Sequence, residues 1–280
     1  MARVREALAS WWYEPLPRGR VAALRSILYA FIFVDVFVTT SWVSRHAVVS
    51  TELYQPLFFG RLLNLPVPTE SLIYGVQAAL LVAAGIAASG RLPRAAGFAV
   101  FVLYLEWMFV AMSYGKVDHD RFAFLVALAV LPTAGPARWG DQARDAVAGW
   151  TIRCIQFAVV LTYLLAAFAK LRFGGVAWLN GATLMRAVLR RGTILAEPLK
   201  DHPGILQLGQ WAIVAFELLS PLLLTRGRLG RIALGVAVAF HVMTYSTITI
   251  IFLPHVMCLL SFLPLERLGR FRLPSPATDH

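Results

Sequence analysis

Repeated apolar stretches of about 20 residues restrict this chain's fold more than any other feature, because a helix of that length crosses the hydrocarbon of a bilayer. Hydrophobic residues make up 59% of the 280 residues and charged residues 15%. A soluble domain has roughly half apolar and a quarter charged residues. Together with a mean hydropathy of +0.67, this composition predicts an all-α, polytopic integral membrane protein whose main partner is the lipid bilayer.

The apolar runs predict a bundle of about eight transmembrane or membrane-embedded helices. Their approximate ranges are 21–43, 70–89, 95–112, 122–135, 151–170, 208–225, 231–252 and 255–264, the fourth and eighth being short. We divide the chain into an N-terminal cytoplasmic or interfacial segment (1–20), a membrane domain (21–265) and a cytoplasmic C-terminal tail (266–280). The first segment is not typical of a cleavable signal peptide, since its charged start does not lead directly into a short apolar region.

The Lys/Arg distribution predicts the orientation, with both termini on the cytoplasmic side of a plasma membrane. The membrane orientation therefore explains the net charge of +11, which gives no reason to expect a nucleic-acid partner. The connection 170–207 breaks the pattern, because it is rich in basic residues on the side that should lack them. Either the helix count is wrong or the connection is folded at the membrane surface to meet an anionic substrate, lipid headgroups or carboxylates, and we favour the second explanation. The two cysteines, Cys154 and Cys258, lie far apart in apolar runs, which gives no disulfide framework and no metal site.

Ionisable residues inside the predicted spans need partners or a task. Glu217 and His241 lie ~14 and ~15 Å from the turn that joins their helices, so they are level and could hydrogen-bond. Such a pair would either fix the two helices together or act as a proton relay or ligand contact. Asp35 and Arg25 lie ten residues, or ~15 Å, apart on one helix and cannot pair, so each needs a partner elsewhere.

A second group of chemically active residues is predicted on the outer side. Lys170 ends a helix face that also carries Tyr163 and two small alanines at helical spacing. The loop containing His119 and the corner at His255 are placed on the same side. A lysine at an apolar boundary can act as a base, with a histidine as its proton-exchange partner; it can equally extend toward the headgroups. Both interpretations stay open on the residues alone.

A series of motifs covers almost the whole chain and resembles the HTTM membrane domain, the vitamin K-dependent gamma-carboxylase-like family. The matching segments are ALRSILYAFIFVDVF, LYQPLFFGRLLNLPVP, VDHDRFAFLVAL, LTYLLAAFAKLRFGGVAWLNGATLMRAVL, FELLSPLLL, AFHVMTYSTI and FLPHVMCLLSFLP. The fourth, with Lys170, Trp178 and Gly181 in register, is the most specific. The loop reads DHDRF around His119, where the family often has an asparagine before the histidine and a tyrosine after it.

The resemblance implies an outward-facing pocket for vitamin K hydroquinone or menaquinol, with Lys170 as the base and His119 as its catalytic partner. It implies a carboxylation coupled to quinone oxygenation, on a secreted peptide or a lipid. If this function is right, Tyr163, Trp178 and His255 bind the cofactor, and Asp35, Glu217 and His241 support the site structurally. Arg186, Arg190 and Arg191 then bind an anionic substrate, or else they face solvent or the lipid headgroups.

Two other classes of function remain as alternatives. The same fold could serve as a non-catalytic module that binds quinone or lipid, or that assists maturation of a secreted peptide. A transporter is the third class, and the lack of an inverted repeat and of paired broken helices argues against it.

Overall fold

A computed structural model of the protein describes residues 2–270 and confirms the all-α membrane architecture. Within these residues, six helical segments are long and apolar enough to cross a membrane, and they cover Arg18–Thr39, Glu70–Ala88, Ala95–Met112, Ala146–Gly174, Pro203–Leu224 and Gly227–Ile248. Leu253–Phe262 forms a shorter apolar helix. The predicted eighth segment is therefore helical, but it is too short to span a bilayer.

The α-helices of the described chain follow in order. They are α1 (Ala2–Trp12), α2 (Arg18–Val34), α3 (Phe58–Leu62), α4 (Glu70–Ala88), α5 (Ala95–Met112), α6 (Phe122–Val130), α7 (Ala146–Gly174), α8 (Ala182–Arg191), α9 (Pro203–Leu219), α10 (Gly227–Ile248) and α11 (Leu253–Leu259). Two-residue strands, β1 (Leu16–Pro17) and β2 (Arg144–Asp145), pair antiparallel. The helix predicted at 122–135 is α6 followed by a 3-10 turn at Leu131–Ala134, where Pro132 lacks the amide needed to continue an α-helix.

The chain divides into two compact units, which we describe separately. The first contains the residues up to 155 together with those from 263, and the second contains residues 156–262. Helix α7 thus contributes its beginning to the first unit and its end to the second.

One end of the first unit gathers segments that are distant in sequence. Strand β1 pairs with β2 just before α2 and α7 begin. The Gly19 amide donates to the Asp141 carbonyl at 2.9 Å, and a Cβ at position 19 would lie 2.7 Å from the Asp141 nitrogen, so only glycine fits. Arg20 and Glu266 form a salt bridge at 2.8 Å. These contacts place three segments at one end of the unit, namely the start of α2, the linker before α7 and the chain near 266. The sequence predicts the same common side for them. That this end faces the cytoplasm stays a prediction.

A buried ion pair fixes the interior of the first unit. Asp35 opens a π-helical turn (Asp35–Thr39) at the end of α2 and is fully buried. Arg121 forms a salt bridge with the Asp35 carboxylate, and the Tyr104 hydroxyl donates to the same carboxylate at 2.9 Å. Arg25 donates to the Gly135 carbonyl at 2.8 Å. The prediction that Asp35 and Arg25 find partners outside their own helix is confirmed.

Replacing Asp35 by alanine should destabilise the protein strongly. The side chain of Arg121 is only 7% exposed, and removing one member of a buried pair costs about 3–5 kcal/mol because the other charge is left without compensation. The control is Asp118→Ala, which breaks a pair with Lys116, whose side chain is 78% exposed; its cost should stay below about 1 kcal/mol. Denaturant unfolding in detergent measures both, and equal losses would contradict the role given to Asp35.

The Arg20 to Glu266 pair should make stability depend on pH at the acidic end. Burial by itself raises the pKa of Glu266, but the hydrogen bond and charge of Arg20 outweigh burial, so this pKa lies below its usual 4.5. A carboxyl whose folded-state pKa is lowered contributes stability above the unfolded-state pKa and loses it as the pH falls through the folded-state value. Wild type should therefore lose more stability than Glu266→Gln between about pH 6 and about pH 3 in thermal unfolding. Parallel curves for the two proteins would show that the pair contributes nothing.

Candidate functional site

Lys170 lies near the end of α7 beside an aromatic ring. The helix continues four residues past the predicted end at 170 and stops at Gly174. A 3-10 turn at Val176–Asn180 then returns Trp178 toward α7, so that the Lys170 ammonium lies 5.5 Å from the centre of the indole ring. A Cβ at Gly174 would come within 2.9 Å of the Trp178 Cβ, so this glycine allows the close approach. A cation at this distance from an indole face is attracted to it.

The ammonium of Lys170 forms an ion pair with Glu217 of α9. The Nζ to Oε1 distance is 2.6 Å, and the two side chains are 23% and 5% exposed. Nζ also lies 3.4 Å from the Ala166 carbonyl, one turn earlier in α7. The Lys170 side chain therefore points back along its own helix, toward Glu217. The small side chains of Ala166 and Ala167 on this face leave room for the carboxylate.

The predicted hydrogen bond between Glu217 and His241 is wrong. The described partner of Glu217 is Lys170, and His241 Nε2 lies 2.7 Å from the Tyr163 hydroxyl oxygen. Equal depth placed the two residues at one level, but depth along a helix says nothing about the direction in which a side chain leaves the axis. Helix α7 supplies the partners of both residues instead, since Tyr163 and Lys170 lie two turns apart on a single face of this helix.

Aromatic rings enclose the Tyr163 to His241 hydrogen bond. His255, on α11, is 2% exposed, and its ring lies edge-on to Tyr163 with centroids 4.6 Å apart. The His241 and His255 ring centres are 5.5 Å apart. Three phenylalanine rings also contact Tyr163 or His241, and the sequence analysis did not identify them. They are Phe216, Phe240 and Phe252. The sequence hardly distinguishes them, because phenylalanine is common in apolar spans. The one available sign is that Phe216 directly precedes Glu217 and Phe240 directly precedes His241.

Glu217 Oε2 and His241 Nδ1 are buried polar atoms that make no hydrogen bond within the described chain. Buried polar atoms in folded proteins are usually paired, so each needs a ligand or a water molecule as partner. The carboxylate oxygen is an acceptor, whereas the imidazole nitrogen is a donor or an acceptor according to its tautomer. The second unit thus offers both an acceptor and a titratable ring in apolar surroundings.

Gln210 holds the Trp178 turn in place and was also missed from the sequence. It is fully buried on α9, its side-chain amide donates to the Trp178 carbonyl, and its side-chain oxygen accepts from the Leu184 amide at 3.3 Å. A glutamine near the start of the predicted span at 208 carries no pattern that distinguishes this role from an ordinary solvated position.

His119 lies in the first unit, whereas Lys170 lies in the second, so their grouping in one site stays a prediction. His119 begins a 3-10 turn that ends at Arg121, and its side chain is exposed. The neighbouring Asp118 pairs with Lys116 at 2.7 Å, and burial raises the pKa of Asp120 above its usual value. Asp35 likewise belongs to the first unit, where its partners are Arg121 and Tyr104, and its support of Lys170 is also untested.

The connection 170–207 is folded, and its predicted place at the membrane surface stays a prediction. It contains α8 and a second 3-10 turn at Glu197–Asp201. The side chains of Arg186, Arg190 and Arg191 on α8 are exposed. Within residues 2–270, no group of three or more His, Cys, Asp or Glu side chains is arranged to hold a metal ion.

The ion pair can be tested by a double-mutant cycle. Lys170→Met and Glu217→Leu should each destabilise the protein by about 3–5 kcal/mol, because each leaves one charge in an apolar site. The double variant should lose less than the sum of the two, with a coupling of about 0.5–3 kcal/mol. The matched control is the exposed pair of Lys200 and Glu197, for which thermal unfolding should show almost no coupling. Additive losses at Lys170 and Glu217 would contradict a direct interaction.

The sequence model of the HTTM domain matches residues 13–266, a range that includes all the site residues discussed above. No curated protein and no solved structure matches the chain. Because the match covers nearly the whole sequence, the chain belongs to the HTTM domain family.

Proposed function

We propose that this protein is a membrane enzyme related to the vitamin K-dependent gamma-carboxylase, which binds a reduced quinone beside Trp178 and removes a proton from it with Lys170. The observation that carries the proposal is the ion pair of Lys170 with Glu217, half enclosed and facing an indole ring. Membership of the HTTM family supports the same class of chemistry.

The residues around Lys170 fit a flat, largely apolar ligand with a hydroxyl group. The indole of Trp178 offers a stacking face at the level of the ammonium. The unpaired Oε2 of Glu217 is a hydrogen-bond acceptor that a hydroxyl can satisfy. Vitamin K hydroquinone and menaquinol both have this combination of ring and hydroxyls. When bound, such a ligand supplies the hydroxyl proton and, with molecular oxygen as oxidant, the strong base that carboxylation of a carbon acid needs.

Lys170 needs a way to lose its own proton before it can accept another. The Glu217 carboxylate can accept this proton, because its Oε1 lies 2.6 Å from the Lys170 ammonium. The neutral amine would then be able to accept a proton from a bound hydroxyl. In such a transfer Glu217 would end protonated and Lys170 would return to its cationic form.

The acceptor of carbon dioxide is proposed from the family resemblance to be a glutamate side chain of a secreted peptide, with a lipid headgroup as the other class of substrate. In this proposal Tyr163 and His255 form a wall of the quinone pocket, and His241 orients Tyr163 through their hydrogen bond. A non-catalytic quinone-binding module would use the same pocket walls without needing a base.

The substitution Lys170→Arg removes the base but keeps a positive charge for the ion pair with Glu217. Arginine keeps the positive charge beside Glu217 but is not deprotonated in proteins, so product formation should fall at least about 100-fold while thermal stability changes little. The assay incubates the purified full chain in lipid nanodiscs with reduced vitamin K or menaquinol under oxygen, and mass spectrometry detects the quinone epoxide.

The matched control is Lys200→Arg, which makes the same change at an exposed pair outside the site and should leave activity unaltered. Epoxide formation that survives in Lys170→Arg would overturn the role of Lys170. Quinone binding by wild type without any epoxide would overturn the enzyme and leave a binding module.

A further inference from the structure

Helix α8 lies at an end of the second unit where other helices also end. It follows the Trp178 turn after α7 and precedes α9. Just past α8, the Thr193 amide donates to the Thr247 carbonyl at 2.9 Å, and the Thr193 hydroxyl donates to the Ser246 carbonyl at 2.6 Å. These bonds join the end of α8 to the end of α10, which is itself long and apolar enough to cross a membrane. Helix α8 is therefore placed where a membrane-crossing helix leaves the bilayer.

One face of α8 is anchored to the protein by apolar packing. Val188 is 5% exposed and belongs to a small core with Leu206 of α9 and Ile248 of α10. Leu184 and Met185 pack against the same core. The orientation of α8 about its own axis is thereby fixed, because rotation would expose these side chains.

The arginines of α8 have no opposite charge to bind among the described residues. Arg186 and Arg190 lie four residues apart and are exposed, and Arg191 is exposed beside them. None of the three forms a salt bridge within the described chain. Lys200 and Glu197, which lie farther along the same connection, pair with each other and so leave this charge unbalanced.

Large apolar side chains are exposed next to these arginines. Leu189, between Arg186 and Arg190, is 69% exposed, and Ile194, just beyond α8, is 88% exposed. Large apolar side chains that met only water would contribute no stabilising contact. A helix with both arginines and exposed aliphatic groups is typical of the membrane interface, where the aliphatic groups enter the acyl region and the cations meet headgroups.

We infer that α8 is an interfacial helix whose Arg186, Arg190 and Arg191 bind the phosphates of anionic phospholipids. Guanidinium groups bind phosphate through paired hydrogen bonds, which gives such a site more geometric definition than a diffuse positive charge. The charge of the 170–207 connection, which is anomalous for a segment predicted to face away from the cytoplasm, then has an anionic partner within the membrane itself. This inference does not depend on the chemistry proposed for Lys170.

Titration of the detergent-solubilised full chain with phosphatidylglycerol and with phosphatidylcholine, followed by native mass spectrometry, measures the preference for anionic lipid. Wild type should bind phosphatidylglycerol at least about fivefold more tightly. The triple variant R186Q/R190Q/R191Q should lose this preference. The control R45Q/R61Q/K116Q removes the same net charge at exposed positions of the first unit and should keep it. Equal loss in both triple variants would overturn the site, since net charge alone would then explain the binding.

Two measurements on the wild-type protein test the same site without any variant. In wild type, raising the salt concentration should weaken the preference for phosphatidylglycerol, because salt screens exposed charges. A preference that is independent of salt would contradict an electrostatic headgroup site. Glycerol phosphate, added as a soluble competitor, should displace little phosphatidylglycerol, because it lacks the acyl chains that Leu189 and Ile194 contact; full displacement at comparable concentration would overturn the lipid assignment.

Discussion

Charged side chains in apolar helices have little water to bind, so each must meet an opposite charge or a polar group within the protein. In the described chain two such pairs join elements distant in sequence. Asp35 at the end of α2 meets Arg121 before α6, and Lys170 of α7 meets Glu217 of α9. Each pair fixes the relative placement of its two elements, because separating them would leave a buried charge without compensation. The packing of each unit depends on its pair.

The pair in the second unit has a property that the pair in the first lacks. Asp35 receives hydrogen bonds from both Arg121 and Tyr104, so its carboxylate is well satisfied. Glu217 accepts from Lys170 through one oxygen and has no described partner for the other. An incompletely satisfied carboxylate beside a lysine is costly for stability and useful for proton transfer. This difference is the physical reason for placing the chemistry at Lys170 and treating Asp35 as structural.

The order of the helices and several of the site residues could be predicted from the sequence. Apolar runs located the spans, and helical spacing put Tyr163 and Lys170 on one face of α7, where the structure has them. The same reasoning paired Glu217 with His241, which was wrong, because the rise per residue gives a side chain's depth but not its direction about the helix axis. Gln210 and Phe216 escaped notice for a related reason: their roles come from a neighbouring helix, which sequence spacing along one helix does not reveal.

The sequence by itself determined the membrane class, the number and order of the long helices, and the residue types available for chemistry. It could do so because hydrophobic length and charge distribution are properties of the chain alone. The tertiary structure decided which charges meet. Lys170 could equally have extended toward the headgroups, and only the arrival of Glu217 beside the small face of α7 draws its ammonium inward. Partner choice depends on packing between helices, and the energy of an ion pair is gained only when that packing brings the two groups together.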